Sequence, residues 1–223
     1  YKLLDLTAEG AGQKYNGMLK DYCRLVVTES RATPVATDRD AFRTKLRRAL
    51  GVRDRGTEAP PAYETTGSFA RDGYAVEKIL FEARPRRFGT GLIYRPVPAP
   101  ERPAPGILIV HGHGAQGKAQ PVTQMRSFGL ARRGFIVLAI DTAGLGERTA
   151  VVHDGFSVYA TGMSLQAMIQ DDNMRALDLL ASLDGVDPAR LGVTGSSGGG
   201  NQSMFLAALD GRIRSEEHTS ELQ

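Results

Sequence analysis

The 223-residue chain has no tryptophan, one cysteine, and no apolar run long enough to cross a bilayer. A single cysteine excludes an internal disulfide or a thiolate metal cluster, and Cys23 is expected to serve as a small apolar residue on a helix. The longest purely apolar stretches, such as "FIVLAI" at 135–140, fall far short of the ~20 residues that a spanning helix needs. A strong excess of one charge is also missing. Lys and Arg number 28 against 25 Asp and Glu, and the arginines in "RTKLRRAL", "ARPRRFG" and "ARRG" are spread along the chain rather than gathered into one aromatic-interleaved stripe. That distribution argues against a nucleic-acid partner and for an ordinary solvated surface. The chain begins at Tyr1 rather than at a methionine, so a start further upstream is expected, and cellular location and oligomeric state are left open.

What is present suits a globular domain, with 41% hydrophobic and 24% charged residues and neither repeats nor low-complexity tracts. Residues 1–50 read as helical, clearest in "DRDAFRTKLRRALG", where Asp40 is expected to cap, Phe42, Leu46 and Leu50 recur at four-residue spacing, and Gly51 stops the helix. A loop rich in glycine, proline and charge (51–62) closes this N-terminal extension, giving a boundary between residues 1–62 and a main domain at 63–213.

From Tyr74 the pattern turns to strands. "YAVEKILFEARP" and "FGTGLIYRP" form a hairpin-like lead-in, followed by a β-α-β-α-β succession. The runs "ILIV" (107–110) and "FIVLAI" are continuous apolar segments, as buried parallel strands are. Between them a helix is expected from Pro121 to Gly134, and a longer one at about 163–183 precedes the strand "RLGVTG" and the helix "GGNQSMFLAAL". The fold class is therefore α/β, with a mostly parallel sheet and helices on both faces.

Two glycine loops carry the chemistry. In "VTGSSGGGNQ", Gly195-x-Ser197-x-Gly199 fits a G-x-S-x-G turn between a strand and a helix, with Ser197 as nucleophile and Ser196 as a small spacer. The helix start behind Ser197 aims its amides at a developing oxyanion, so the Gly198 N–H is one expected donor. The loop in "ILIVHGHG" follows an earlier strand and is expected to supply the second donor through the backbone N–H of His113 rather than its ring. His111 is expected to pack inside and His153 to lie in a solvated loop or in the substrate cleft.

A rival reading exists for the first loop. Gly112, Gly114 and Gly117 form a literal G-x-G-x-x-G after a strand, with Asp141 placed where a ribose-binding acid would sit, which would give a dinucleotide-binding oxidoreductase. Pro121, however, starts the helix beyond the third glycine, and such a domain has no use for "GSSGG". On the hydrolase reading Asp141 shapes the site's rim through "IDTAGLGERT", Glu147 and Arg148 pair with each other or brace that loop, and Arg148 is a candidate substrate contact.

With "HGHG", "DTAGLGER" and "GVTGSSGGG" in this order, residues 75–213 resemble the α/β-hydrolase superfamily, and within it bacterial esterases of the acetylxylan-esterase and dienelactone-hydrolase-like kind. The resemblance implies a Ser–His–Asp triad, an acyl-enzyme formed from a small-molecule or carbohydrate ester, and no cofactor or metal. It also implies the chain order Ser, acid, His, which places both partners downstream of Ser197. A prolyl-oligopeptidase-like peptidase and a non-catalytic hydrolase-fold binding protein are the other readings within this fold. The last ten residues, "RSEEHTSELQ", match the in-frame translation of a common sequencing adapter. The hydrolase domain is therefore expected to be truncated after the elbow helix, residues 214–223 to be non-native and without a packing role, and His218 not to be the base.

Overall fold

The computed structural model describes residues 38–52, 58–150, 153 and 156–219, with Asp21 and Arg24. The expectations for Cys23, for most of the N-terminal extension and for residues 220–223 lie outside the described residues. The chain divides into two compact units, Tyr1–Phe42 and Arg43–Gln223.

Helix α1 spans Arg39–Leu50. Its cap is Asp38 and not Asp40: the Asp38 Oδ1 accepts the N–H groups of Asp40 and Ala41, each at 3.0 Å. An aspartate one residue before the first helical turn reaches those free amides, whereas Asp40 is already inside the helix. Gly51 ends it at φ +78, a left-handed conformation that glycine adopts without penalty. In the second unit, Leu46 and Leu50 pack against the larger core cluster, and the Arg47 guanidinium donates to the Leu209 carbonyl at 3.1 Å.

Seven strands form one sheet in the order β1-β2-β3-β5-β4-β6-β7. Strands β1 (Tyr63–Arg71), β2 (Tyr74–Arg84) and β3 (Arg87–Pro96) make an antiparallel meander, and β3 joins the rest through antiparallel pairing with β5 (Ile136–Ile140). The parallel half follows: β5 with β4 (Ala104–Val110), β4 with β6 (Val186–Ser196), and β6 with β7 (Ile213–Thr219). Strand β1 was not legible as an element because nearly all of it is exposed, so it lacks the alternation that betrays β2. Strand β5 is buried at every residue, which is why its sequence is an unbroken apolar run.

Helices cover both faces. Helix α2 (Pro121–Ala131) packs Phe128, Leu130 and Ala131 onto one side of the central strands with Val76, Tyr94 and Val137. A single helical turn, α3 (Phe156–Tyr159), precedes α4 (Leu165–Ser182), which lies on the other face with α5 (Gly198–Leu209); Leu177, Leu180, Leu206 and Leu209 there meet Leu108 and Leu138. Ser164 caps α4 by accepting the Ala167 N–H at 2.9 Å and fastens it to α1 by donating to the Leu50 carbonyl at 2.8 Å.

Residues 214–219, for which the adapter match implies no native packing role, nevertheless extend the sheet. They form β7, paired with β6 from Leu191↔Ile213 to Ser196↔Thr219. The physical reason lies in β6: an edge of unpaired N–H and C=O groups accepts an extended segment with little regard to its sequence.

Candidate active site

The site grows from strand register. Val110, at the end of β4, pairs with Ile140 on one side and Gly195 on the other, so three strands end at one level. The loops that leave them begin at His111, Asp141 and Ser197, at the carboxyl end of the parallel sheet, where ligands of open α/β sheets bind.

Ser197 stands between β6 and α5 with φ 56 and ψ −121, one of two non-glycine residues with positive φ among those described. A side chain rarely tolerates that conformation, and its cost is of the size found at functional turns. The close packing around it explains the flanking glycines. A methyl group on Gly195 would run into the carbonyl of Gly199, and one on Gly199 would meet the Val110 carbonyl. On Gly112 it would lie 2.7 Å from the Ser196 carbonyl oxygen and 3.0 Å from the Gly198 nitrogen. The two glycine loops are thus in direct backbone contact, and Ser197 itself is exposed.

Beside the elbow opens a pocket of about 270 Å³, lined among others by His111, His113, His153, Tyr159, Gly198 and Gln202. The three histidines there differ in role. His111 is buried, as expected; its Nδ1 lies 2.8 Å from the Gly112 carbonyl and its Nε2 accepts the Thr142 N–H at 3.0 Å. The proton therefore sits on Nδ1. In that tautomer the 3.5 Å approach of Nε2 to Asp141 is a contact between two acceptors and not an ion pair. His113 lies at the surface with its Nδ1 3.1 Å from the point where a Gly198 side chain would begin. His153 packs edge-on against it, with ring centroids 5.2 Å apart and Nε2 atoms 3.3 Å apart.

Asp141 is 1% exposed and fully engaged inside the protein. Its carboxylate accepts from the Lys118 amide at 2.8 Å, the Lys118 ammonium at 2.5 Å, the Thr90 hydroxyl at 2.8 Å and the Glu147 amide at 3.1 Å. Burial pushes this carboxyl up, but the Lys118 ammonium and amide outweigh it and hold the carboxyl well below the usual carboxylate range. Gly117 and Gly146 both lie against the carboxylate. Gly117, the third glycine of the rival dinucleotide fingerprint, is therefore wrapped around an internal ion pair, and Asp141 has nothing left to offer a ribose.

The expected Glu147–Arg148 pair does not form. Glu147 binds the Lys118 ammonium, while Arg148 turns inward to Asp172 on α4 at 2.9 Å and donates to the Asp141 carbonyl at 3.2 Å. Successive residues on a turn point to opposite sides, and here one side holds Lys118 and the other the acidic pair Asp171 and Asp172. Arg148 is 6% exposed, so it braces the loop rather than facing substrate.

Sequence reasoning passed over Lys118 and Gln202, the two side chains that connect these loops. The Gln202 amide donates to the His111 carbonyl at 2.9 Å and lies 3.1 Å from the Thr142 hydroxyl, and its oxygen accepts from Asn173 at 3.2 Å. A polar residue five positions after Ser197, within an apolar helix, was the available signal.

A family profile described as acetyl xylan esterase (AXE1) matches residues 81–218. The inferred hydrolase YtaP of Bacillus subtilis (strain 168) is 32% identical over 184 residues, which are 77% of this chain and 60% of that protein. Among solved structures, an inferred acetyl xylan esterase from Bacteroides fragilis NCTC 9343 aligns with a TM-score of 0.66 at 21% identity over 78% of this chain and 50% of its own. Methylesterase BT1017 aligns with a TM-score of 0.66 at 26% identity over 79% of this chain and 39% of its own. The chain thus spans roughly two fifths to three fifths of the length of these relatives. The α/β-hydrolase fold is common to them, and with the profile match extending over more than half of its residues, the chain belongs to the acetyl xylan esterase (AXE1) family.

Proposed function

We propose that this chain is the nucleophile-bearing part of a serine carboxylic-ester hydrolase that removes acetyl groups from a carbohydrate. The observation that carries the reading is the strained, exposed Ser197 at the end of β6, with the Gly112 loop packed against it. In this mechanism Ser197 Oγ attacks the ester carbonyl carbon and gives its proton to a histidine base. The Gly198 and His113 backbone N–H groups take up the charge on the carbonyl oxygen, and the alcohol leaves with the transferred proton. Water then attacks the acyl-enzyme and releases acetate. No cofactor or metal takes part.

We place the base and its carboxylate downstream of Ser197 and outside this chain, a reading supported by the chain's spanning only part of its relatives' length. His113 is not the base in this reading, because its far nitrogen meets His153 and, among the described residues, no carboxylate is bonded to it to stabilise an imidazolium. Residues 63–213 are then the N-terminal portion of the hydrolase domain, and residues 214–223 a non-native tail.

The test compares the chain, its full-length parent and the parent carrying Ser197→Ala on p-nitrophenyl acetate. The parent should turn over in a Ser197-dependent manner. Loss of a serine hydrolase's histidine costs about 10⁶ in kcat, so the chain alone should be near background. Equal turnover by chain and parent would refute the missing triad, and an active Ser197→Ala parent would remove the nucleophile.

A further inference from the structure

The two histidines beside the elbow form a one-way chain of hydrogen bonds. The Ala143 carbonyl lies 2.7 Å from His153 Nδ1 and can only accept, so that nitrogen carries a proton. In a neutral His153 the other nitrogen, Nε2, is then bare. The 3.3 Å Nε2–Nε2 contact needs one donor and one acceptor, so His113 Nε2 is the protonated partner. A neutral His113 protonated there has a bare Nδ1. That atom has no hydrogen-bond partner among the described residues, and it is the one that lies against Gly198. The backbone carbonyl of Ala143 thus decides, two rings away, that an acceptor faces the elbow.

One added proton reverses this. Whether it resides on His153 or on His113, the Ala143 carbonyl still fixes a proton on His153 Nδ1 and the shared contact still holds only one, so His113 Nδ1 must become N–H. The result does not depend on which ring is charged.

An acceptor placed there requires a donor from the substrate, and an acetyl group has none. We propose that His113 Nδ1 reads a free hydroxyl on the alcohol half of the ester, next to the acylated oxygen, with His153 as the positioning residue that keeps Nδ1 bare. The site would therefore select partly acylated polyols over simple alkyl or aryl acetates. This rests on Ser197 as the nucleophile and adds the pair of residues that recognises the leaving alcohol. Among the described residues, the pocket's other titratable lining groups are His111, whose two nitrogens are both committed, and Tyr159, and no carboxylate or cationic side chain lines it.

The test uses the full-length parent and two substrates, trans-2-hydroxycyclohexyl acetate and its 2-methoxy counterpart. A hydroxyl can donate to a bare nitrogen; a methyl ether cannot. At pH 8.5 the hydroxy ester should be favoured in kcat/KM by roughly 5- to 10-fold, the size of one neutral hydrogen bond. His153→Phe, which frees the His113 tautomer so that Nδ1–H can donate to either oxygen, should bring that ratio below about twofold. Methyl bulk is the same in the wild type and the variant, so the bulk of the ether alone cannot produce that change. A wild-type ratio near one, or a preference that persists unchanged in His153→Phe, would overturn the proposal while leaving Ser197 in place. Turnover that does not depend on Ser197 would sink both readings together.

Discussion

Gln202 donates to the His111 carbonyl at 2.9 Å and so ties the helix behind the elbow to the end of β4. The same side chain meets Thr142 and Asn173, and all four residues are buried. Replacing it with leucine keeps the volume but strands a carbonyl, a hydroxyl and an amide. Each buried orphan costs about 1–3 kcal/mol, partly relieved by water reaching the pocket. Gln202→Leu should lower the melting temperature by roughly 5–10 °C. If thermal denaturation shows a shift under about 2 °C, the residue is not the connector described here.

Much of this arrangement was legible beforehand, and the reasons can be stated. The turn at Ser197 was visible because a side chain at positive φ, pressed between two chain crossings, needs glycine at 195 and 199, and both are there. The strands β4 and β5 declared themselves as buried apolar runs. Partners of charged groups were not legible. That Arg148 chooses Asp172 over its neighbour Glu147 depends on α4 passing beneath the loop, and that Lys118 folds inward depends on Asp141 waiting there. The strand at 213–219 was missed for another reason: its pairing belongs to the open edge of β6, not to its own residues.

The Asp141–Lys118 pair gives a stability prediction with a definite pH window. The folded carboxyl is held below its unfolded value, so its contribution is complete above about pH 4, where an unfolded aspartate is ionised, and fades as the pH falls toward the depressed folded value. Asp141→Asn removes the charge and leaves Lys118 buried beside an amide. At pH 7 the loss should be about 3 kcal/mol, as for breaking one side of a buried pair. Urea denaturation from pH 3 to 7 should show the wild type losing stability at the acid end, with the variant flatter.

Strand β7 shields β6 through backbone pairing, with the Thr194 hydroxyl bonded to Glu217 as a side-chain tie between them. Deleting residues 214–223 should therefore uncover the β6 edge and drive association at micromolar concentrations. An unrelated polar segment of equal length should restore a monomer, since the backbone does the pairing. Sedimentation velocity separates the outcomes, and a monomeric deletion variant would mean that this edge needs no cover.

Ser197 should show a conflict between stability and function. Its φ of 56 is left-handed, and holding a side chain there costs on the order of 1–3 kcal/mol. Ser197→Gly releases that strain, though a glycine also makes the unfolded chain more flexible, which gives back about 0.4–1 kcal/mol. Ser197→Ala keeps the strain and loses only the hydroxyl. The glycine variant should thus melt roughly 2–4 °C above the alanine variant, and both should lack the parent's acetyl-ester turnover. The comparison separates the backbone from the nucleophile, because the two variants share the chemical loss and differ only at the turn. Equal melting temperatures would mean that the turn is unstrained and that Ser197 is held there without cost.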